Sequence, residues 1–164
     1  MISVIMDEFI KHLDPNLKYE KDEVVGNTYY LYVTSEKKES RCPNCGQSSS
    51  RIHSKYTRSF QDLPIQDKKL IIVIKNKKLF CDNPECGNTT FAETFSFLPR
   101  KGKKSKRLID KILDVSLSVN SVTAASILSG PGGGIVSIGK STICNMLKKT
   151  KAQVYGRKMP LPFE

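Results

Sequence analysis

The sequence predicts an α+β fold in which a small β module is followed by a helical one. Three observations lead there. Apolar side chains alternate with a period of two between Ile52 and Phe80, and recur near every 3.6 residues after Arg107. Two cysteine pairs, Cys42/Cys45 and Cys81/Cys86, bracket the strand-like stretch. The change of period falls on Arg100-Lys-Gly-Lys-Lys-Ser-Lys-Arg107, six basic residues in eight with no apolar side chain.

The elements follow in order. Asp7 to Leu13 suits a short helix, with Phe9, Ile10 and Leu13 on one face and Pro15 ending it. Val24 to Val33, rich in aromatic and β-branched residues, predicts a strand. A second strand is expected from Ile52 through Phe60 and a third from Lys69 to Phe80, with Leu63-Pro64 in their connection. In the third, Leu70, Ile72 and Ile74 face one way and Ile71 and Val73 the other, so both faces should be partly covered. Beyond the basic stretch, Leu108, Ile109, Ile112, Leu113 and Ser116 share a helical stripe that continues to Val119. Ser121 is the expected N-cap of a second helix to about Leu128. Gly130-Pro-Gly-Gly-Gly134 is a loop, and a third helix covers about Lys140 to Lys151. This divides the chain into an N-terminal segment 1–40, a β module 41–98, a basic linker 99–107, a helical module 108–151 and a tail or linker 152–164.

Charge is distributed unevenly. The formal total is +11, yet residues 1–40 carry −3 and residues 41–164 carry +14. A basic block behind a mildly acidic start points to a polyanionic partner for the block. The longest apolar run, Leu70 to Ile74, is too short to cross a bilayer, and the acidic start lacks the basic region of a secretory signal. The expectation is a cytoplasmic protein, without a membrane partner, whose cysteines bind metal or pack in a core and do not form disulfides.

Cys42-Pro-Asn-Cys45-Gly46 and Cys81-Asp-Asn-Pro-Glu-Cys86-Gly87 carry the strongest chemistry. Two to four residues between cysteines form a chelating turn, and two such turns complete a tetrahedral Zn²⁺ site. Gly after a cysteine lets the chain curl with φ > 0. Four thiolates close the shell and leave no place for water, so one structural zinc per chain is expected, in a zinc-ribbon-like module. Unliganded thiols are the alternative. His53 could replace a ligand, but its neighbours Arg51, Lys55 and Arg58 suit a surface histidine better. Cys144, beside Ile143, Met146 and Leu147, reads as a small core residue.

Helix, short helix, loop and helix in a basic background match a helix-turn-helix domain, whose last helix enters the major groove. On the third helix Ile143, Met146 and Leu147 form the apolar stripe, leaving Lys140, Ser141, Thr142, Asn145, Lys148 and Lys149 for bases and phosphates. An ordinary solvated helix face is the alternative. Gly134-Ile-Val-Ser-Ile-Gly139-Lys140-Ser141 also fits the Walker A string, but no buried strand feeds it, so nucleotide binding is not expected.

With the cysteines, Arg51-Ile-His-Ser-Lys-Tyr-Thr-Arg58, Gln61-Asp-Leu-Pro64 and Leu79-Phe-Cys-Asp-Asn-Pro-Glu-Cys86, the chain resembles the amino-terminal region of ISL-three family insertion-sequence transposases. The resemblance runs from about Arg41 to Phe95, and more loosely to Thr150. It implies metal ligation by Cys42, Cys45, Cys81 and Cys86, and binding of double-stranded DNA at terminal inverted repeats in the bacterial nucleoid. The expected DNA contacts are Arg51, Lys55 and Arg58 in the β module, Arg100, Lys101, Lys103, Lys104, Lys106 and Arg107 in the linker, and the third-helix residues above. A homodimer is compatible with this. The family's RNase-H-like catalytic domain would lie beyond Glu164, so this chain is expected to bind DNA and not to cut it. A standalone transcriptional regulator derived from a transposase is the alternative, and a protein- or RNA-binding zinc ribbon a third reading.

Overall fold

The computed structural model describes residues 2–130 and 136–155. Two compact units divide at Leu108/Ile109, inside a helix. The first holds a sheet, and helices lie in both.

The first unit opens with α1 (Ile2–Lys11), followed by β1 (Leu17–Val25) and β2 (Thr28–Ser35), an antiparallel hairpin turning at Gly26 with φ +58°. The expected helix thus begins five residues earlier than Asp7, and the expected single strand is two. β1 escapes a hydrophobic pattern because its residues Lys18 to Val25 are exposed or half-buried at a sheet edge. β3 (Ser40–Arg41) and β4 (Ser48–Ser49) form a small separate ladder. β5 (Ile52–Ile65) and β6 (Lys68–Phe80) form the longest hairpin, and β7 (Thr90–Ala92) pairs with the end of β6. The main sheet runs β1-β2-β6-β5, with β2 and β6 parallel from Thr28/Lys69 to Thr34/Lys75. Strands from the first forty residues and from the cysteine-bearing segment therefore share one sheet. This long-range pairing leaves no local sequence signal.

Leu63-Pro64 lies inside β5, not in the connection. β5 is an edge strand, its register is irregular between Asp62 and Ile65, and Pro is tolerated at such places. The turn is Gln66-Asp67, both with positive φ (48° and 60°), as a tight hairpin requires.

Burial in β6 alternates as expected: Leu70, Ile72 and Ile74 are buried, Ile71 and Val73 half-buried. With Ile10, Leu17, Leu31, Val33, Phe60, Phe95 and Leu98 they form the core of this unit. Asp7 accepts the Tyr19 N–H at 2.7 Å and holds α1 against β1.

The basic stretch is docked on β5. Gln61 N–H donates to Lys103 O and Ser105 N–H to Gln61 O, both at 2.9 Å, a short parallel bridge. Fully buried Asp62 accepts from Ser105 Oγ at 2.6 Å and from Arg107 Nε at 2.8 Å, with Arg107 Nη2 on its second oxygen.

α2 (Lys106–Ser118) leads into the second unit, followed by α3 (Ser121–Ser129) and α4 (Lys140–Tyr155). The N-cap of α3 is Asn120, not Ser121: its Oδ1 accepts from Val122 N–H at 3.1 Å and Thr123 N–H at 2.9 Å. Asn and Ser are comparable caps, and the chain turns one residue earlier than expected. Asn120→Ala is expected to lower the stability of this unit by about 1 kcal/mol, read from a shift in its urea midpoint. Among the described residues, Ile112, Ala124, Leu128, Val136, Ile138 and Ile143 are its buried apolar side chains, and α3 packs on α4. The segment entering α4 folds back on α3: Val136 N–H donates to Leu128 O, and Ser129 Oγ accepts the Ile138 N–H at 3.1 Å. The expected tail is helical to Tyr155. The central part of the glycine-rich loop (131–135), including the first Gly of the Walker-like string, and residues 156–164 lie outside the described residues. The described element before that string is the helix α3.

Candidate metal centre and basic surfaces

Two turns of different construction bring the cysteines together. Between β3 and β4, Gly46 N–H donates to Cys42 O at 2.8 Å, Cys42 N–H donates to Gln47 O at 2.9 Å, and Gly46 takes φ +76°. Glycine performs there the role expected of it. Gly87 does not need positive φ, because the second turn is shaped by Asn83 instead. Its Oδ1 accepts from Glu85 N–H at 3.0 Å and its carbonyl accepts from Cys86 N–H at 3.1 Å. Cys81 directly follows β6, and its N–H donates to Thr89 O at 2.9 Å.

The four sulfurs lie within 4.8 Å of one another, with Cys42–Cys86 at 3.9 Å and Cys45–Cys81 at 3.5 Å. Tetrahedral zinc with bonds of about 2.3 Å separates its sulfurs by about 3.8 Å, so the donor set fits that ion. Cys42 is buried beside Leu79 and Phe91, and Cys81 and Cys86 pack on the same small cluster. The thiols titrate apart. The Asn44 side chain, 3.3 Å from Cys86 Sγ, and the Asn88 backbone hold Cys86 down to about 6. Backbone N–H groups of Cys45 and Asn44 lower Cys42. For Cys81 the Asn83 N–H acts downward, but burial and hydrogen bonds shared with Cys45, Cys86 and Cys42 prevail and push it up to about 12. Asn44 is a sulfur partner that sequence spacing did not single out. Its only sequence signal is its place inside the chelating turn.

His53 stands apart from the sulfurs, exposed and edge-on to Phe80 at 4.9 Å. Cys144 is half-buried, with Sγ 3.6 Å from Ser121 Oγ between α4 and α3.

The basic residues divide by what they already hold. Arg51 lies across Phe80 and pairs with Asp82 at 2.6 Å, bracing the second cysteine turn. Arg58 Nη2 donates to Pro99 O at 2.9 Å and Gly102 O at 2.7 Å. Arg107 is engaged by Asp62, a carboxylate that sequence reading left without a role. Lys104 is half-buried, whereas Lys55, Arg100, Lys101, Lys103 and Lys106 are exposed. Lys55 is paired across the hairpin with Lys77. Like charges directly opposite cost stability unless an anion offsets them. In the second unit Lys140, Ser141, Thr142, Asn145, Lys148 and Lys149 are exposed on α4, while Ile143 is buried and Met146 and Leu147 half-buried.

Residues 38–86 match the family model of the zinc-finger of transposase IS204/IS1001/IS1096/IS1165. The chain is 26% identical over 91 residues to the transposase for insertion sequence element IS1001 of Bordetella parapertussis, an alignment covering 56% of this chain and 22% of that protein. The chain thus aligns with about a fifth of that relative's length. No solved structure matches it. A zinc-finger segment whose four cysteine sulfurs converge on one point is a structural zinc site. No described helix is long and apolar enough to cross a membrane.

Proposed function

We propose that this chain is the DNA-recognition part of a transposase, binding double-stranded DNA at the terminal inverted repeats of its element in the bacterial cytoplasm. The observation that carries the reading is the zinc centre at the heart of a segment similar to transposase zinc fingers. The surfaces around it agree. Residues 41–164 hold the positive charge, and several cations on the β module and the basic stretch are exposed. In this reading the chain binds and does not cut. α2, α3 and α4 act as a helix-turn-helix in which α4 enters the major groove. Burial of Ile143 turns Thr142, Asn145 and Lys149, three and four residues apart, to the solvent side. Asn is suited to adenine, Thr to either base edges or phosphate, and Lys149 to phosphate.

Selection of bound sequences from a random duplex pool should return one preferred site. On it, Asn145→Ala and Thr142→Ala are each expected to cost about 1–3 kcal/mol, and only at the matching base position. Lys149→Ala should weaken all sequences about equally. A pool that yields no preferred sequence would contradict the proposal. A preference profile unchanged by either substitution would move base reading away from α4.

A further inference from the structure

We propose that the turn Pro99–Lys103, clamped to β5 by Arg58, is a preformed cradle for backbone phosphates of duplex DNA, with Arg58 as its positioning residue. The proposal rests on the DNA-binding reading above and assigns a site and a residue role within it. From sequence, this stretch is a basic linker between two modules. In the structure it is a fixed turn. Gly102 N–H donates to Pro99 O at 2.9 Å and closes it, and Arg58 Nη2 caps the carbonyls of both residues from beneath. Its exit is tied to β5 through Gln61 and Lys103.

A shallow cleft of about 370 Å³ lies between this turn and β5. Among the described residues lining it, Arg58, Arg100, Lys101 and Lys103 are cationic and none is acidic. Tyr56 gives it an apolar wall and is itself fixed, its hydroxyl accepting from Asn76 Nδ2 at 2.6 Å. Placing a guanidinium under a turn that already carries three exposed cations raises the local repulsion. A bound polyanion relieves it, and a rigid cradle loses less conformational entropy on binding than a mobile basic tail. Arg58 itself works on the carbonyls, so its part is to hold Arg100, Lys101 and Lys103 in place.

Gly102→Ala tests this without changing charge. A Cβ there would stand 2.9 Å from Pro99 Cβ, within a rigid ring, so the turn must open. The full zinc-loaded chain and its variants are titrated with random-sequence duplex DNA over a range of salt. Thermal melting and zinc content serve as controls for folding. Gly102→Ala is expected to weaken binding and to lower the slope of log affinity against log salt by about 2, at about 0.9 for each phosphate no longer neutralised. Arg58→Ala should lower it by more than the about 0.9 that a single phosphate-bound cation contributes, and combining the two should add little. Wild-type affinity and slope in Gly102→Ala would overturn the cradle while leaving the DNA-binding reading intact. A fall of only about 0.9 in Arg58→Ala would make Arg58 a direct phosphate ligand and overturn its positioning role. Failure of the wild-type chain to bind duplex, or its preference for single-stranded RNA, would overturn both.

Discussion

Cys81→Ser is expected to remove zinc from the protein and unfold the segment around the metal. The reason is the size of what would remain. Cys42, Leu79 and Phe91 are the buried members of that cluster, too few to order β3, β4, β7 and two cysteine turns. Structural zinc in finger peptides supplies about 10–16 kcal/mol of binding free energy, comparable with the whole stability of an ordinary domain. The main sheet has a core of its own around Leu31, Ile72 and Ile74, so the loss should be local. Elemental analysis should fall from one zinc per chain to well below it. Amide exchange should speed up from Ser40 to Ile52 and from Leu79 to Ala92, and not within the second unit. A metal-free wild-type chain with native amide protection would contradict this.

Asp62→Ala is expected to lower the stability of the first unit by about 3 kcal/mol. The carboxylate is fully buried and serves Ser105 and Arg107 together, so its removal strands a hydroxyl and a guanidinium. Breaking a buried pair costs about 3–5 kcal/mol, and solvent reaching the 44%-exposed Arg107 side chain places this one at the low end. Asp62→Asn should cost less, because one acceptor oxygen survives. The check is the urea midpoint of each variant followed by near-ultraviolet signals of the first unit. A midpoint unchanged in Asp62→Ala would show that Ser105 and Arg107 dock the basic stretch without it.

What could be seen in the sequence was whatever depends on short spacing. The cysteine turns were legible because chelation fixes the separation of ligands. The alternation of Leu70, Ile72 and Ile74 was legible because β6 is covered on one face more than the other. β1 was not, because an exposed edge strand such as Leu17–Val25 need not alternate. The Gln66-Asp67 turn carries no glycine, so Leu63-Pro64 looked like the break, and the true one passed unmarked. Parallel pairing of β2 with β6 and the seat of Arg107 on Asp62 join residues about forty apart. In the candidate site, the ligand set could be read from spacing. Which cations are free and which are engaged depends on carbonyls and carboxylates brought in by the fold, as for Arg58 and Arg51.

β6 runs without interruption from the centre of the sheet to Cys81, and this gives the metal a second task. At its far end Asn76 and Leu79 are the buried residues of β6, while the partner residues Ile52 to Thr57 are exposed, so on that strand burial does little to choose among possible alignments. Slipping the hairpin by one residue would carry Cys81 about 3.3 Å along the strand, further than the length of a zinc–sulfur bond. The tetrahedron would then not close. The ion is therefore a gauge for the hairpin: only the alignment that brings Cys81 and Cys45 within reach of the same centre captures it, and a misaligned chain stays metal-free.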